Sequence, residues 1–151
     1  MSLAALVLSA TAADALRKGD VLPDVQAFEG PAGGDDGVSK MPRRLVLAAD
    51  AFALDSAELP RELMRPLDAV ADALREHGAQ AVRIEVHTDA SGPSEARRTL
   101  TQRRAEAIKA YLVERGIDAA TLHAMGMGSS VPRLVADPYA AANRRIEVVR
   151  L

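Results

Sequence analysis

Hydrophobic and polar residues alternate along several segments of the chain, and this alternation predicts β-strands. In one segment Val82, Ile84 and Val86 alternate with charged side chains. Apolar residues spaced three and four apart predict helices between these segments. The predicted elements, in chain order, are a strand from Arg44 to Phe52, a helix from Pro60 to His77, a strand from Gln80 to His87, a helix from Ser94 to Arg115, a strand from Leu122 to Met127 and a strand from Ile146 to Val149.

This order predicts an α/β two-layer sandwich. Strands that alternate need cover on one face only, so we expect the helices to lie together on that face. The other face is expected to carry charged residues toward solvent, with Arg145 and Glu147 pointing out of the last strand.

The first 43 residues differ from the rest of the chain. Glu29 to Pro42 is rich in Gly, Pro and Asp, which predicts a linker. Leu3 to Leu8 is an apolar run followed by small residues, a pattern typical of either a clipped export signal or a short structured element. No apolar run is long enough to predict a transmembrane segment. We therefore expect an N-terminal extension over 1–43 and one domain over 44–151.

Composition excludes several kinds of chemistry. The chain has no Cys, and its three His residues lack the spacing of a metal site, so no metal or cofactor is predicted. No acid–base pair or activated nucleophile is visible, and we do not predict an enzyme. A pI near 5.9 and 3% aromatic residues argue against nucleic acid. An Arg-rich nucleic-acid or phosphate binder remains an alternative, and its binding should weaken steeply with salt.

Asp89 and Arg104 are the residues that the pattern singles out. Asp89 follows a predicted strand, and Arg104 lies within the apolar stripe of the long helix, between Leu100 and Ile108. In one interpretation Arg104 pairs with Asp89 or a carbonyl and serves only the fold. In the other, both line a pocket, where the carboxylate binds an ammonium group and the guanidinium binds a carboxylate. Such a pocket would suit a zwitterionic amino-acid group.

Five segments match the motifs of one known family in order and separation. They are Ile84 to Asp89, Leu100 to Ala105, Tyr111 to Gly116, Gly126 to Gly128 with Pro132, and Asn143 to Glu147. Through these segments the chain resembles the OmpA-like peptidoglycan-binding domain family. The resemblance covers roughly residues 44 to 151 and implies a βαβαββ mixed sheet with helices on one face.

The resemblance also implies roles for single residues. Asp89 would hold the free amine, and Arg104 the carboxylate, of diaminopimelate in the peptidoglycan stem peptide. Further binding residues are implied less directly by matching positions in the pocket, in the loop after the first strand and at the start of the last strand. They are Thr88, Leu100, Asp55, Asn143, Arg144 and Arg145.

The implied function is non-covalent anchoring of an outer-membrane or envelope protein to the cell wall, in the periplasm of a Gram-negative bacterium. Envelope proteins or a second copy of the chain are the alternative partners. One alternative is the wall-anchoring domain of a flagellar stator or secretion-system protein. Another is a fold that has lost its ligand, with Asp89 and Arg104 bonded to each other. Ala53, Val86 and Arg97 depart from the family pattern and favour this last alternative.

Overall fold

The computed structural model describes residues 25–28, 43–48, 52–77 and 81–151. Within these ranges the chain forms a five-stranded sheet and two α-helices. The elements are β1 (Val25–Phe28), β2 (Arg44–Ala48), α1 (Arg61–Glu76), β3 (Val82–His87), α2 (Ser94–Glu114), β4 (Leu122–Gly128) and β5 (Arg145–Arg150), with single 3-10 turns at Ala119–Thr121 and Ala141–Asn143.

The strands form a mixed sheet in the order β1-β2-β5-β3-β4. β5 pairs antiparallel with both β2 and β3, whereas β4 runs parallel to β3. The predicted two-layer α/β fold is thereby confirmed, and both helices lie within a residue or two of their predicted bounds. The first predicted strand is shorter than expected, because it ends at Ala48 and Phe52 lies in the following loop.

Four residues of the predicted N-terminal extension belong to the sheet. β1 pairs antiparallel with β2, with Val25 opposite Leu47. The predicted export signal and the predicted linker from Glu29 to Pro42 lie outside the described residues.

One face of the sheet and the two helices enclose the apolar core. The inward side chains of β3, Val82, Ile84 and Val86, are fully buried against helix residues such as Leu67 and Ile108. Aliphatic side chains of this size contribute about 1.5 to 3 kcal/mol each when fully buried. The core thus fixes α2 against β3.

The opposite face of the sheet is charged but not exposed, contrary to expectation. Arg145 and Glu147 are each 5% exposed, and Glu85 and His87 are buried beside them. Glu85 lies directly opposite Glu147 across the β3–β5 ladder, a pairing that repels unless cations intervene. His87 Nε2 lies 3.3 Å from Glu85 Oε2 and 3.5 Å from Glu147 Oε2. Cross-strand pairing therefore lets this layer be buried.

Arginines complete the neutralisation of the two glutamates. Arg145 Nε donates to Glu147 Oε1 at 3.1 Å, and Arg44 Nη1 donates to Glu147 Oε2 at 2.6 Å. Arg83 Nε donates to Glu85 Oε1 at 2.6 Å. Burial raises the pKa of Glu147, but the hydrogen bonds from His87 and Arg145 outweigh it and lower the pKa to about 2.

The stability of the fold should fall on both sides of a pH plateau. Burial lowers the pKa of His87, but bonds to Glu147 and Glu85 outweigh it, so the folded pKa lies above 6.5. The stabilisation from protonated His87 is therefore complete below pH 6.5 and is lost as the pH rises through the folded value. The depressed pKa of Glu147 gives the opposite arm, a loss as the pH falls from 4.5 toward about 2.

Urea unfolding across a pH series would measure both arms. The variant His87→Gln should lose the alkaline arm, because glutamine does not titrate. If the free energy of unfolding of His87→Gln fell at alkaline pH by as much as that of the wild type, the assignment of this arm to His87 would be wrong.

Candidate functional site

A cleft of about 700 Å³ opens where four parts of the fold meet: the loop after β2, the turn after β3, one face of α2 and the segment just before β5. Its walls combine apolar side chains with acids and arginines. The lining residues are Phe52, Leu54, Asp55, Thr88, Asp89, Ser91, Gly92, Pro93, Ala96, Arg97, Thr99, Leu100, Arg103, Arg104 and Arg144.

Asp89 is held as a carboxylate in the turn that leaves β3. Its Oδ1 accepts from the Ser91 backbone N–H at 2.8 Å, and its Oδ2 accepts from Arg144 Nη1 at 2.7 Å. Burial raises the pKa of Asp89, but the bonds from Ser91 and Arg144 outweigh it and lower the pKa below the ordinary value. The residue as a whole is only 6% exposed. Asp89 therefore presents a negative charge of fixed orientation to the cleft.

Arg104 reaches from α2 into the loop after β2. Its Nε donates to the Ser56 carbonyl at 2.7 Å, and its Nη2 donates to the Ala53 carbonyl at 3.1 Å. The guanidinium lies 4.7 Å from the centroid of the Phe52 ring, within cation–π distance. Burial lowers the pKa of Arg104 and the nearby charge of Asp55 raises it, with a net lowering. An arginine nevertheless stays charged in a protein.

Asp89 and Arg104 line the same cleft without bonding to each other. Among the described residues, the ion-pair partner of Asp89 is Arg144, and the acceptors of Arg104 are two backbone carbonyls. The closed Asp89–Arg104 pair is therefore not formed. Arg104 does bond to carbonyls, as the structural interpretation expected, yet its Nη1 donates to none of the described acceptors.

The other predicted binding residues divide into two groups. Thr88, Leu100, Asp55 and Arg144 line the cleft with Asp89 and Arg104. Asp55 is exposed and has a positive φ of 56°, which turns the loop after β2 at the rim of the cleft.

Asn143 and Arg145 lie away from the cleft. Asn143 is 1% exposed, because its side chain accepts from Leu134 N–H at 2.8 Å and donates to the Asp137 carbonyl at 2.9 Å. It thereby holds the loop before β5. Arg145 belongs to the charged layer on the opposite sheet face. Arg144, by contrast, lines the cleft. Its backbone is extended, and consecutive residues of an extended chain point to opposite sides, so Arg144 and Arg145 face different sides of the sheet.

Two arginines that were not predicted as binding residues also line the cleft. They are Arg97 and Arg103, both on α2. Arg97 Nε donates to Ser129 Oγ at 3.1 Å and Nη1 donates to the Ala90 carbonyl at 2.9 Å. Helical spacing could have revealed Arg97 as a residue of the cleft, because it lies seven residues before Arg104 and so on the same side of α2.

The charged layer on the opposite face also contains the one group of metal-ligand type found among the described residues. Candidate ligand atoms of Glu85, His87 and Glu147 all lie within 4.8 Å of one another. Their carboxylates already bond to Arg44, Arg83 and Arg145. Three guanidiniums against two carboxylates leave no negative charge to attract a metal cation, so we assign this cluster to the fold.

The sequence model of the OmpA family matches residues 51–146, which includes the cleft. The chain belongs to the OmpA family. Neither helix of this OmpA-family chain, as far as the structure describes it, has the length and hydropathy needed to cross a membrane.

Sequence similarity to a curated relative supports the assignment to the OmpA family. The chain is 38% identical over 99 residues to the peptidoglycan-associated lipoprotein of Pseudomonas aeruginosa, an alignment that covers 64% of this chain and 58% of that protein. The chain thus spans about three fifths of the length of this relative.

Two solved structures share the fold. The peptidoglycan-associated lipoprotein from Burkholderia pseudomallei is 30% identical, with a TM-score of 0.59 over 67% of this chain and 87% of that one. The cell wall anchor of the type VI secretion system from Pseudomonas aeruginosa is 28% identical, with a TM-score of 0.60 over 72% and 80% of the two chains.

Proposed function

We propose that this OmpA-family chain binds peptidoglycan non-covalently, without catalysis, and anchors an envelope protein to the cell wall. The observation that carries the proposal is the placement of Asp89 and Arg104 on the walls of one cleft, each fixed by other partners and not by each other. The names of the relatives, which associate them with peptidoglycan or the cell wall, support it. The corresponding location is the periplasm, at the outer membrane or cell wall.

The ligand group we propose is the zwitterionic end of diaminopimelate in the stem peptide. Its ammonium group would donate to the Asp89 carboxylate, whose two oxygens each keep a lone pair beyond the bonds already made. Its carboxylate would accept from Nη1 of Arg104. Charge-assisted hydrogen bonds of this kind contribute about 1.5 to 3 kcal/mol each.

Four neighbours would support this binding. Arg144 would keep Asp89 ionised and oriented, Thr88 would offer a hydroxyl beside it, and Leu100 would pack against the methylene chain of the ligand. Asp55 would flank the carboxylate site at the rim. Asn143 and Arg145 would act through the fold, because their side chains are committed elsewhere.

The second candidate is a wall anchor within a secretion system. The similarity to the type VI cell wall anchor favours it. It shares the proposed ligand and differs in the protein that is anchored.

Sedimentation with insoluble peptidoglycan tests the proposal. The purified chain should sediment with diaminopimelate-type walls and much less with lysine-type walls, because lysine lacks the side-chain carboxylate that Arg104 would bind. Free diaminopimelate should release it. The variant Asp89→Asn should bind at least tenfold more weakly, from loss of a charge-assisted bond. Glu114→Gln, an exposed acid at the end of α2, is the matched control. Equal binding to both walls would contradict the diaminopimelate site, and binding to neither would contradict peptidoglycan binding.

A further inference from the structure

The positive and negative charges of the side chains that line the cleft do not sum to zero. Four arginines and two aspartates line it, which leaves two positive charges in excess. Asp89 is paired with Arg144, and Asp55 is the acid whose charge acts on Arg104. The excess therefore lies on Arg97 and Arg103.

Neither of these arginines has a carboxylate partner within the described part of the chain. Arg97 donates to two neutral acceptors, the Ala90 carbonyl and Ser129 Oγ. Arg103 is exposed on α2. Arg97 is half-buried and already fixed by two hydrogen bonds. Its side chain would therefore lose little rotamer entropy when it binds an acidic group of a ligand.

The distance between the arginines limits the shape of a matching ligand. Arg97 and Arg104 are seven residues apart on one face of α2, which corresponds to about 10 Å along the helix axis. An extended peptide covers this distance in about three residues. A ligand that bridges them would carry two acidic groups on nearby residues of one short peptide.

We propose that the cleft contains a second acid-binding subsite at Arg97, with Arg103 adding attraction, and that the chain prefers stem peptides with a free carboxylate beside diaminopimelate. This inference rests on the proposed function and specifies its ligand. An amide at the same position would be neutral and would leave the charge of Arg97 unmatched. The subsite would thus distinguish free-acid from amidated stem peptides.

Titration calorimetry with two synthetic tripeptides tests this inference. Both contain alanine, γ-linked glutamate and diaminopimelate, and they differ in whether the glutamate α-carboxylate is free or amidated. The wild-type chain should bind the free acid about tenfold more tightly, as expected for one charge-assisted bond. Arg97→Gln should bind both peptides with the affinity that the wild type has for the amide. Arg97→Lys should keep part of the preference, and Arg98→Gln, an exposed neighbour outside the cleft, should keep all of it.

The other outcomes separate this inference from the proposed function. Equal wild-type affinity for the two peptides would overturn the second subsite and leave diaminopimelate binding intact. An equal loss for both peptides in Arg97→Gln would mean that Arg97 only positions the turn that carries Asp89, which also overturns the subsite. Binding of neither peptide by the wild type would overturn the proposed function, and the subsite with it.

Discussion

Replacing Gly126 with alanine should lower the stability of the domain by about 3 kcal/mol or more, at the upper end of what overpacking costs. A Cβ at this position would lie 2.5 Å from Gln102 Cα and 2.7 Å from the carbonyl carbon of Thr101, both backbone atoms of α2. No rotamer change can relieve contacts with backbone. The helix would have to move away from β4.

Such a movement would also break the hydrogen bonds that join α2 to β4. Gly126 N–H donates to Gln102 Oε1 at 2.8 Å, and Gly128 N–H donates to Thr101 Oγ1 at 3.0 Å. Gln102 Nε2 donates to the Ala124 carbonyl at 3.3 Å. In this way side chains of α2 satisfy backbone groups along the β4 edge. Because α2 carries one wall of the cleft, its displacement should weaken ligand binding as well.

Thermal unfolding measures the effect, and about 3 kcal/mol corresponds to a fall in Tm of about 10 °C for a domain of this size. Gly92→Ala is the control, because Gly92 has a φ of 78° but nothing within 4 Å of an added Cβ. That substitution should cost only the left-handed backbone strain, about 1 kcal/mol. A Gly126→Ala protein that melts within 2 °C of the wild type would contradict the close approach of α2 to β4.

The helices and the inner strand faces were predictable because each repeats a short period. Val82, Ile84 and Val86 recur every second residue and all lie in the core. The sequence signal for the end of α2 is equally local, since Gly116 has a φ of 93° and follows the last helical turn directly. Such signals need only neighbouring residues, so a single sequence contains them.

The buried charged face could not be predicted in the same way. Alternation placed Glu147 on the face opposite the helices, but its burial depends on Arg44 and His87, which belong to other strands. Strand register decides which charged side chains lie next to one another. A single sequence does not give that register.

The candidate site shows the same division between local and distant information. Asp89 and Arg104 were found from a strand end and a helix stripe. Their partners were not, because Arg144 lies 55 residues from Asp89, and the carbonyls that bind Arg104 lie 48 and 51 residues before it. Backbone carbonyls carry no side-chain signature. The sequence therefore predicted Asp89 and Arg104 as candidates but not the groups that hold them.

Replacing Arg104 with alanine should reduce binding to diaminopimelate-type peptidoglycan by roughly 30- to 150-fold, because a charge-assisted bond to a carboxylate contributes about 2 to 3 kcal/mol. The guanidinium also anchors the loop after β2 through the Ser56 and Ala53 carbonyls and contacts the Phe52 ring. Truncation should therefore lower Tm modestly as well. Binding is measured by wall sedimentation at a temperature well below the Tm of the variant.

Arg104→Lys separates the two roles of this side chain. Lysine keeps the charge but lacks the planar fork, so it cannot hold two loop carbonyls and a ligand carboxylate at once. We expect intermediate binding, about tenfold weaker than the wild type, whereas Arg98→Ala, on α2 but outside the cleft, should bind like the wild type. If folded Arg104→Ala sediments with the wall as the wild type does, Arg104 holds only the loop, and the ligand carboxylate must be bound elsewhere. A loss of binding in Arg104→Ala that Arg104→Lys partly restores would instead assign the positive charge itself to the ligand.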